Sequence, residues 1–231
     1  NKKKFKNKTE EINTIHICSS VKTHLKYFEL FKNKNLIIEK PIVDSLKQLS
    51  KFKKIFRKKK KKSLVNYTDL FNDNLSKLKK KSFFNNSKQL NLTYCKKSKV
   101  YYNKIDFFND WLDHPLSIIL FLFGKLNNNG IHVYIKKNKL KKFEGFLKLK
   151  YIYKNIKINV IISNIEKKEH RLISILNNKK TKTINLKKNN SFEKIYNQLL
   201  KENKKLPHQN LIFHEKIFKE KRKIINKIKN L

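Results

Sequence analysis

The chain alternates between short apolar runs and lysine- and asparagine-rich intervals, and its clearest run is Leu36-Ile37-Ile38, which leads straight into Glu39-Lys40-Pro41. Three consecutive apolar residues closed by a proline predict a buried strand of a parallel sheet. A proline lacks the N–H and the free φ that would let a central strand continue. In open α/β sheets ligands lie beyond the carboxyl ends of the strands, so Glu39 and Lys40 fall where a ligand would be. Pro41 also holds Lys40 extended, and a Lys-Pro bond is open to the cis form. Taken alone, the tripeptide reads more readily as a surface Lys-Pro at a loop start; its neighbours change that.

Before it, Thr14-Ile15-His16-Ile17-Cys18 predicts a short strand broken by Ser19-Ser20. Leu25, Phe28, Leu30 and Phe31 then recur at helical spacing over residues 22–32. Strand, helix, strand in this order is a βαβ unit with a parallel sheet. After Pro41, residues 42–56 predict a helix, with Asp44 or Ser45 near its start and Leu46, Leu49, Phe52 and Phe56 on one face. Leu64 to Tyr67 predicts a strand, Leu70 to Leu78 a helix, Leu90 to Tyr102 a strand, and Phe107 to Phe123 a helix or helix pair capped by Gly124. Beyond Gly130 the pattern turns to strands over 131–135, 143–153, 156–163, 172–176 and 181–186, an antiparallel meander with one wet face. Helices over 192–202 and 211–228 complete the chain.

Composition narrows the classes. A chain of 231 residues, 39% hydrophobic, with 17 Phe and 9 Tyr, is a folded protein rather than a solvated tail. A net charge of +41 would ordinarily point to a polyanion partner. Yet Arg57, Arg171 and Arg222 are the only arginines, and arginine is what bidentate phosphate and guanine recognition favours. Lysine excess accompanied by abundant Asn and Ile, spread over the whole length, matches the codon bias of an AT-rich genome. The basic run Arg57 to Lys62 reads as a solvated helix end rather than a nucleic-acid signal. Cys18 and Cys95 form no C-x-x-C or Cys/His cluster, so neither a metal site nor a disulfide framework is indicated, and a cytoplasmic setting is the simplest. The longest apolar run, Leu116 to Phe123, is far short of the roughly 20 residues that span a bilayer. With no methionine anywhere, the sequence is expected to lack an N-terminal piece.

Candidate chemistry sits in a second cluster, Asp110-Trp111-Leu112-Asp113-His114-Pro115-Leu116-Ser117. Asp110 and His114 are four apart, which on one helix puts both on one face. Histidine is the natural general base near neutral pH, and a carboxylate beside it orients the ring. The same spacing also fits a capping aspartate and a structural histidine. Of the other histidines only His24, just past a strand end on the ligand side, is a site candidate.

The segment from Ile15 through Ser19, Ser20 and His24, followed by Leu36 to Pro41, resembles the second half of the nucleotide domain of the Gfo/Idh/MocA oxidoreductases. Asp110-x-x-x-His114 with Gly124 ten residues on is similar to that family's catalytic D-x-x-x-H segment, and the match covers nearly all of the chain. The resemblance implies a fold of class α/β plus α+β. Residues 1–65 would be the C-terminal half of a Rossmann-like domain that lacks its first βαβ unit. Residues 66–231 would form an open, mostly antiparallel sheet with flanking helices, the last helix packing back on the first domain. It further implies an NAD- or NADP-dependent enzyme acting on a sugar, polyol or nucleotide-sugar, assembled as a homo-oligomer. Lys40, Asp110 and His114 would be catalytic, and Ser19, Ser20, His24, Glu39, Lys40 and Pro41 would line the cofactor, with no metal. Leu112 and Ser117 stand where the family often has glycine and aspartate. No G-x-G-x-x-G occurs in the chain. That leaves three readings: an enzyme whose glycine loop lies upstream, a cofactor-less binding or scaffold protein, and a basic nucleic-acid-binding protein.

Overall fold

The computed structural model describes residues 12–58, 61–80, 87–95, 103, 105–137, 143–166, 168–177, 180–186, 193–194, 197 and 211–230. The chain divides into two compact units, residues 1–67 with 192–215, and residues 68–191 with 216–231.

In the first unit β1 (Thr14–Ile17), β2 (Asn35–Glu39) and β3 (Ser63–Asn66) form a parallel sheet in the order β1-β2-β3. Leu36, Ile37 and Ile38 of the central strand are buried, as an apolar run covered on both faces must be. Helices α1 (Val21–Leu30) and α2 (Leu46–Lys58) meet through Phe28 and Phe52, whose ring centroids are 4.6 Å apart. The helix expected from residue 42 begins at Leu46 instead. Ile42 and Val43 are buried in the connection, and Ser45 Oγ accepts a hydrogen bond from the Gln48 N–H at 3.2 Å, an N-cap bond that fixes the helix start. Arg57 and Lys58 are exposed at the end of α2, as a solvated helix end requires. The Lys40-Pro41 peptide is cis.

The second unit opens with a 3₁₀ turn (Thr68–Phe71) and α3 (Asp73–Lys80), where one helix was expected. Strand β4 (Ser87–Cys95) follows, then α4 (Asp106–Trp111) and α5 (Asp113–Phe123). They meet at Leu112, where Pro115 has no N–H to offer the Trp111 carbonyl. Gly124, with φ 74°, closes α5 in the left-handed conformation and bonds to the Leu120 carbonyl at 2.9 Å. Strands β5 (Asn128–Lys137), β6 (Phe143–Tyr153), β7 (Ile156–Ser163), β8 (His170–Asn177) and β9 (Thr181–Asn185) complete a six-stranded sheet, and α6 (Leu211–Lys229) follows them in the chain. The sheet order is β5-β6-β7-β4-β8-β9, so the expected simple meander is interrupted. Strand β4 inserts between β7 and β8, parallel to the first and antiparallel to the second, while the remaining neighbours pair antiparallel. Leu90, Leu92, Tyr94, Leu147, Leu149, Ile158, Val160 and Ile173 alternate into the core. The helix expected over 192–202 and the end of the strand expected to reach Tyr102 lie largely outside the described residues.

Gly145 of β6 faces Ile135 of β5, and a β-carbon there would run into the Tyr134 carbonyl oxygen. At Gly130 the same atom would meet only Lys150 side-chain carbons, the nearest at an ordinary 3.7 Å. Urea unfolding should therefore show Gly145→Ala destabilised by about 1–3 kcal/mol, with Gly130→Ala changing stability by much less.

Candidate active site

In the first unit the carboxyl ends of the strands gather polar side chains on one face. Glu39 and Asn66 are register partners, and Asn66 Nδ2 donates to Glu39 Oε1 at 2.5 Å. His16 Nε2 lies 3.0 Å from the same oxygen. Burial acts to raise the Glu39 carboxyl. The hydrogen bonds to His16 and Asn66, with the charges of His16 and Lys40, outweigh it and hold the acid below its ordinary value. Cys18 is exposed, and its thiol is pushed up by partial burial and by the Glu39 charge. Spacing along the chain showed no ligand pattern here. Parallel pairing nevertheless places donor atoms of His16, Cys18 and Glu39 within 4.8 Å of one another. The signal available in the sequence was His-x-Cys on one strand, whose side chains share a face, followed by an acid closing the next strand.

The remaining residues expected on this side lie in or beside the loops that follow β1 and β2. His24 is 2% exposed, and its ring bridges the Ser19 carbonyl at 2.8 Å and the Pro41 carbonyl at 3.1 Å. It thereby ties the loop after β1 to the loop after β2. Ser19 Oγ accepts from Thr23 Oγ1 at 2.8 Å, and the exposed Ser20 offers its carbonyl to the first turn of α1. Lys40 and Pro41 are half-buried at the strand end.

The second unit holds Asp110 and His114. Leu112 between them keeps helical dihedrals, so they remain four apart on one helical path, Asp110 half-buried near the end of α4 and His114 at the start of α5. The carboxylate that takes His114 Nδ1 is Asp69, at 2.9 Å. Asp69 is 3% exposed, and it also accepts from Tyr94 Oη at 2.9 Å and lies 3.6 Å from Arg171 Nη1. The Arg171 guanidinium sits 5.2 Å from the centre of the Trp111 ring. Burial works to raise the Asp69 carboxyl, but His114, Arg171 and Tyr94 outweigh it and the acid stays below its ordinary value. Burial and the Asp69 charge together push the Tyr94 hydroxyl well above its usual range. Nδ1 is committed to Asp69, so the ring is oriented, and whenever it is neutral with that proton on Nδ1 its lone pair falls on Nε2, the arrangement of an oriented general base. Ser117 Oγ donates to the His114 carbonyl at 2.7 Å, and next to the histidine Asp113 pairs with Lys221 Nζ at 2.6 Å. Asp69 escaped sequence reasoning, although a lone acid between Val65 and Phe71 in an otherwise uncharged stretch was a usable signal.

Removing Asp69 leaves Arg171 and His114 without their buried counter-charge, so Asp69→Ala should cost about 3–5 kcal/mol in urea unfolding, and Tyr94→Phe about 1 kcal/mol. Because the folded-state acid sits below its ordinary 3.8, the unfolded chain binds the extra proton first. The stabilisation from Asp69 is therefore complete above that value and fades as pH falls further. The gap between wild type and Asp69→Ala should narrow in unfolding curves recorded at progressively lower pH.

No protein-family model and no curated protein matches the sequence. Solved structures do match the fold. A dehydrogenase from Clostridium difficile superposes with TM-score 0.72 at 18% identity, covering 94% of this chain and 78% of that one. A Gfo/Idh/MocA family oxidoreductase from Vibrio cholerae gives TM-score 0.68 at 12% identity over 96% of this chain and 81% of its own. The WlbA dehydrogenase of Thermus thermophilus, in complex with NAD and UDP-GlcNAcA, gives 0.67 at 14% identity over 96% and 75%. This chain's three-stranded parallel sheet and six-stranded mixed sheet with helices superpose on these structures, and the chain has the Gfo/Idh/MocA oxidoreductase fold.

Proposed function

We propose that the protein is an NAD- or NADP-dependent oxidoreductase that moves a hydride to or from a hydroxyl-bearing carbon of a sugar, polyol or nucleotide-sugar. The observation that carries this reading is the His114–Asp69 pair, a buried and oriented base at the D-x-x-x-H segment. It is supported by a Glu39-Lys40-Pro41 strand end in a fold whose solved examples include an NAD complex.

The nicotinamide supplies the two-electron chemistry when bound. Ser19, Ser20, Glu39, Lys40 and Pro41 are the residues we assign to hold it, at the carboxyl ends of β1 and β2. His24 keeps the two loops in register from behind. In the second unit His114 Nε2 would take the hydroxyl proton, with Asp69 stabilising the imidazolium, and Asp110 is assigned to the substrate. In the first unit the Lys40 ammonium is assigned to stabilise negative charge on the ligand held at the strand ends. The two cysteines are free, Cys18 exposed and Cys95 with its thiol pushed up to about 11 by burial, which suits a reducing cytoplasm. Among the described residues no helix is long and apolar enough to cross a membrane.

A second reading, a cofactor-free binding protein on the same fold, is favoured by the absence of a glycine-rich phosphate loop from these 231 residues. The complete reading frame, expressed and titrated with NADH and NADPH by nicotinamide fluorescence, separates the two. Binding should weaken by roughly 10–100-fold in Lys40→Ala, the loss of one charge-assisted contact. In a screen of sugar alcohols, His114→Ala should lower kcat by about 10²–10⁴ while leaving cofactor affinity alone. No binding of either nucleotide would overturn the enzyme reading and leave the binding protein.

A further inference from the structure

We propose that His16, Cys18 and Glu39 form a three-ligand site for a divalent transition metal of the zinc class at the carboxyl ends of β1 and β2. The pairing of these strands dictates the arrangement. Thr14 to Ile17 lie opposite Asn35 to Ile38, and Cys18, one residue past β1, brings its thiol near Glu39, the last residue of β2. His16 is two residues before Cys18, on the same side of the pleat. Neighbouring strands lie about 4.8 Å apart, which sets the separation that side chains on this face must bridge. The donor atoms are within 4.8 Å of one another, with His16 Nε2 and Glu39 Oε1 at 3.0 Å. A tetrahedral ion with bonds of about 2.0–2.3 Å holds its ligand atoms roughly 3.3–3.8 Å apart, so only small side-chain rotations separate the observed cluster from a coordinated one.

Asn66 supplies a second, independent observation. It is 2% exposed, it pairs with Glu39 in the β2–β3 register, and its Nδ2 donates to the Glu39 carboxylate. An amide that fixes a ligating carboxylate from behind is what metal sites use to orient their ligands. Asn66 Oδ1 is buried with no hydrogen-bond partner, an acceptor that water on the metal would satisfy.

The donor set selects the ion. Imidazole, thiolate and carboxylate together suit zinc or cobalt rather than magnesium or calcium, which take oxygen alone. Three protein ligands beside an exposed Cys18 leave the fourth position open to water or to a substrate oxygen, the pattern of a reactive rather than a structural zinc site. The inference does not rest on the hydride-transfer reading, because its test records metal and not turnover.

The full chain, stripped with chelator, is titrated with Co²⁺ while its absorption spectrum is recorded. The expected result is one equivalent bound, with the visible bands of a tetrahedral ion and a thiolate-to-cobalt charge-transfer band. That band should vanish in Cys18→Ser and persist in Cys95→Ser. Asn66→Ala should weaken binding by about 10–100-fold without removing the band. Because Cys18 is exposed, its serine variant is expected to fold, and far-UV circular dichroism checks this. No uptake of cobalt, or a spectrum indifferent to Cys18→Ser in the folded variant, overturns the proposal.

Discussion

Asp69 keeps a negative charge almost wholly out of water, and the second unit is arranged around that fact. An isolated buried carboxylate would cost many kcal/mol and would protonate instead. This one stays ionised because separate elements each bring it a partner: Tyr94 from the central strand β4, His114 from the head of α5 and Arg171 from β8. The pairing of β4 with β8 sets Tyr94 directly opposite Arg171, so sheet register and carboxylate satisfaction are one constraint seen from two sides. The junction of α4 and α5 enters the same argument. Pro115 removes one hydrogen bond, yet Leu112 keeps helical dihedrals (φ −58°, ψ −33°), so His114 reaches Asp69 from a helical path that continues through Asp110.

The first unit solves a related problem with a different geometry. Its central strand is apolar through Ile38 and then must end, and Glu39 is the first side chain that cannot join the core. Part-exposed, it is held by His16 from one neighbouring strand and by Asn66 from the other. A parallel sheet makes such a row natural, since all three strands finish at the same edge and their terminal residues face one another. The behaviour of Cys18 follows from the same row: an ionised Glu39 beside it disfavours a second negative charge, and a divalent cation would reverse that preference.

What could be read from the sequence divides along the same physical line. Elements were legible wherever one periodicity ruled: the apolar run of β2, the alternation of β6 and β7, the Gly124 stop after α5. Contacts that link distant segments were not. Nothing local says that β4 pairs with β7 and β8, because each of its faces alternates as any half-buried strand does. The start of α2 was misplaced because Ile42 and Val43 carry helical-looking apolarity into what is a buried connection, and the Ser45 cap decides the matter. The histidine of the candidate site was found by its motif. Its carboxylate was assigned to Asp110 because spacing along one helix was the available rule, whereas the ring's Nδ1 goes to Asp69, far back in the chain.

Arginine usage carries this argument one step further. Fifty-eight residues are lysine or arginine, three of these are arginine, and one of the three is Arg171. Its position explains why lysine cannot stand in. The guanidinium carbon lies over the Trp111 ring, 5.2 Å from its centre, while Nη1 reaches toward Asp69 and Nη2 toward Glu169, at 3.6 and 3.9 Å. A lysine ammonium is a single strongly hydrated point: it could approach the ring or the carboxylate, and it would have to shed its water to do either. On a solvated surface the choice of cation matters little, since an exposed charge contributes roughly 0–1 kcal/mol whichever carries it, and Arg57 is exposed at the end of α2. It matters where one cation must stack and pair at once, as Arg171 does between Trp111 and Asp69.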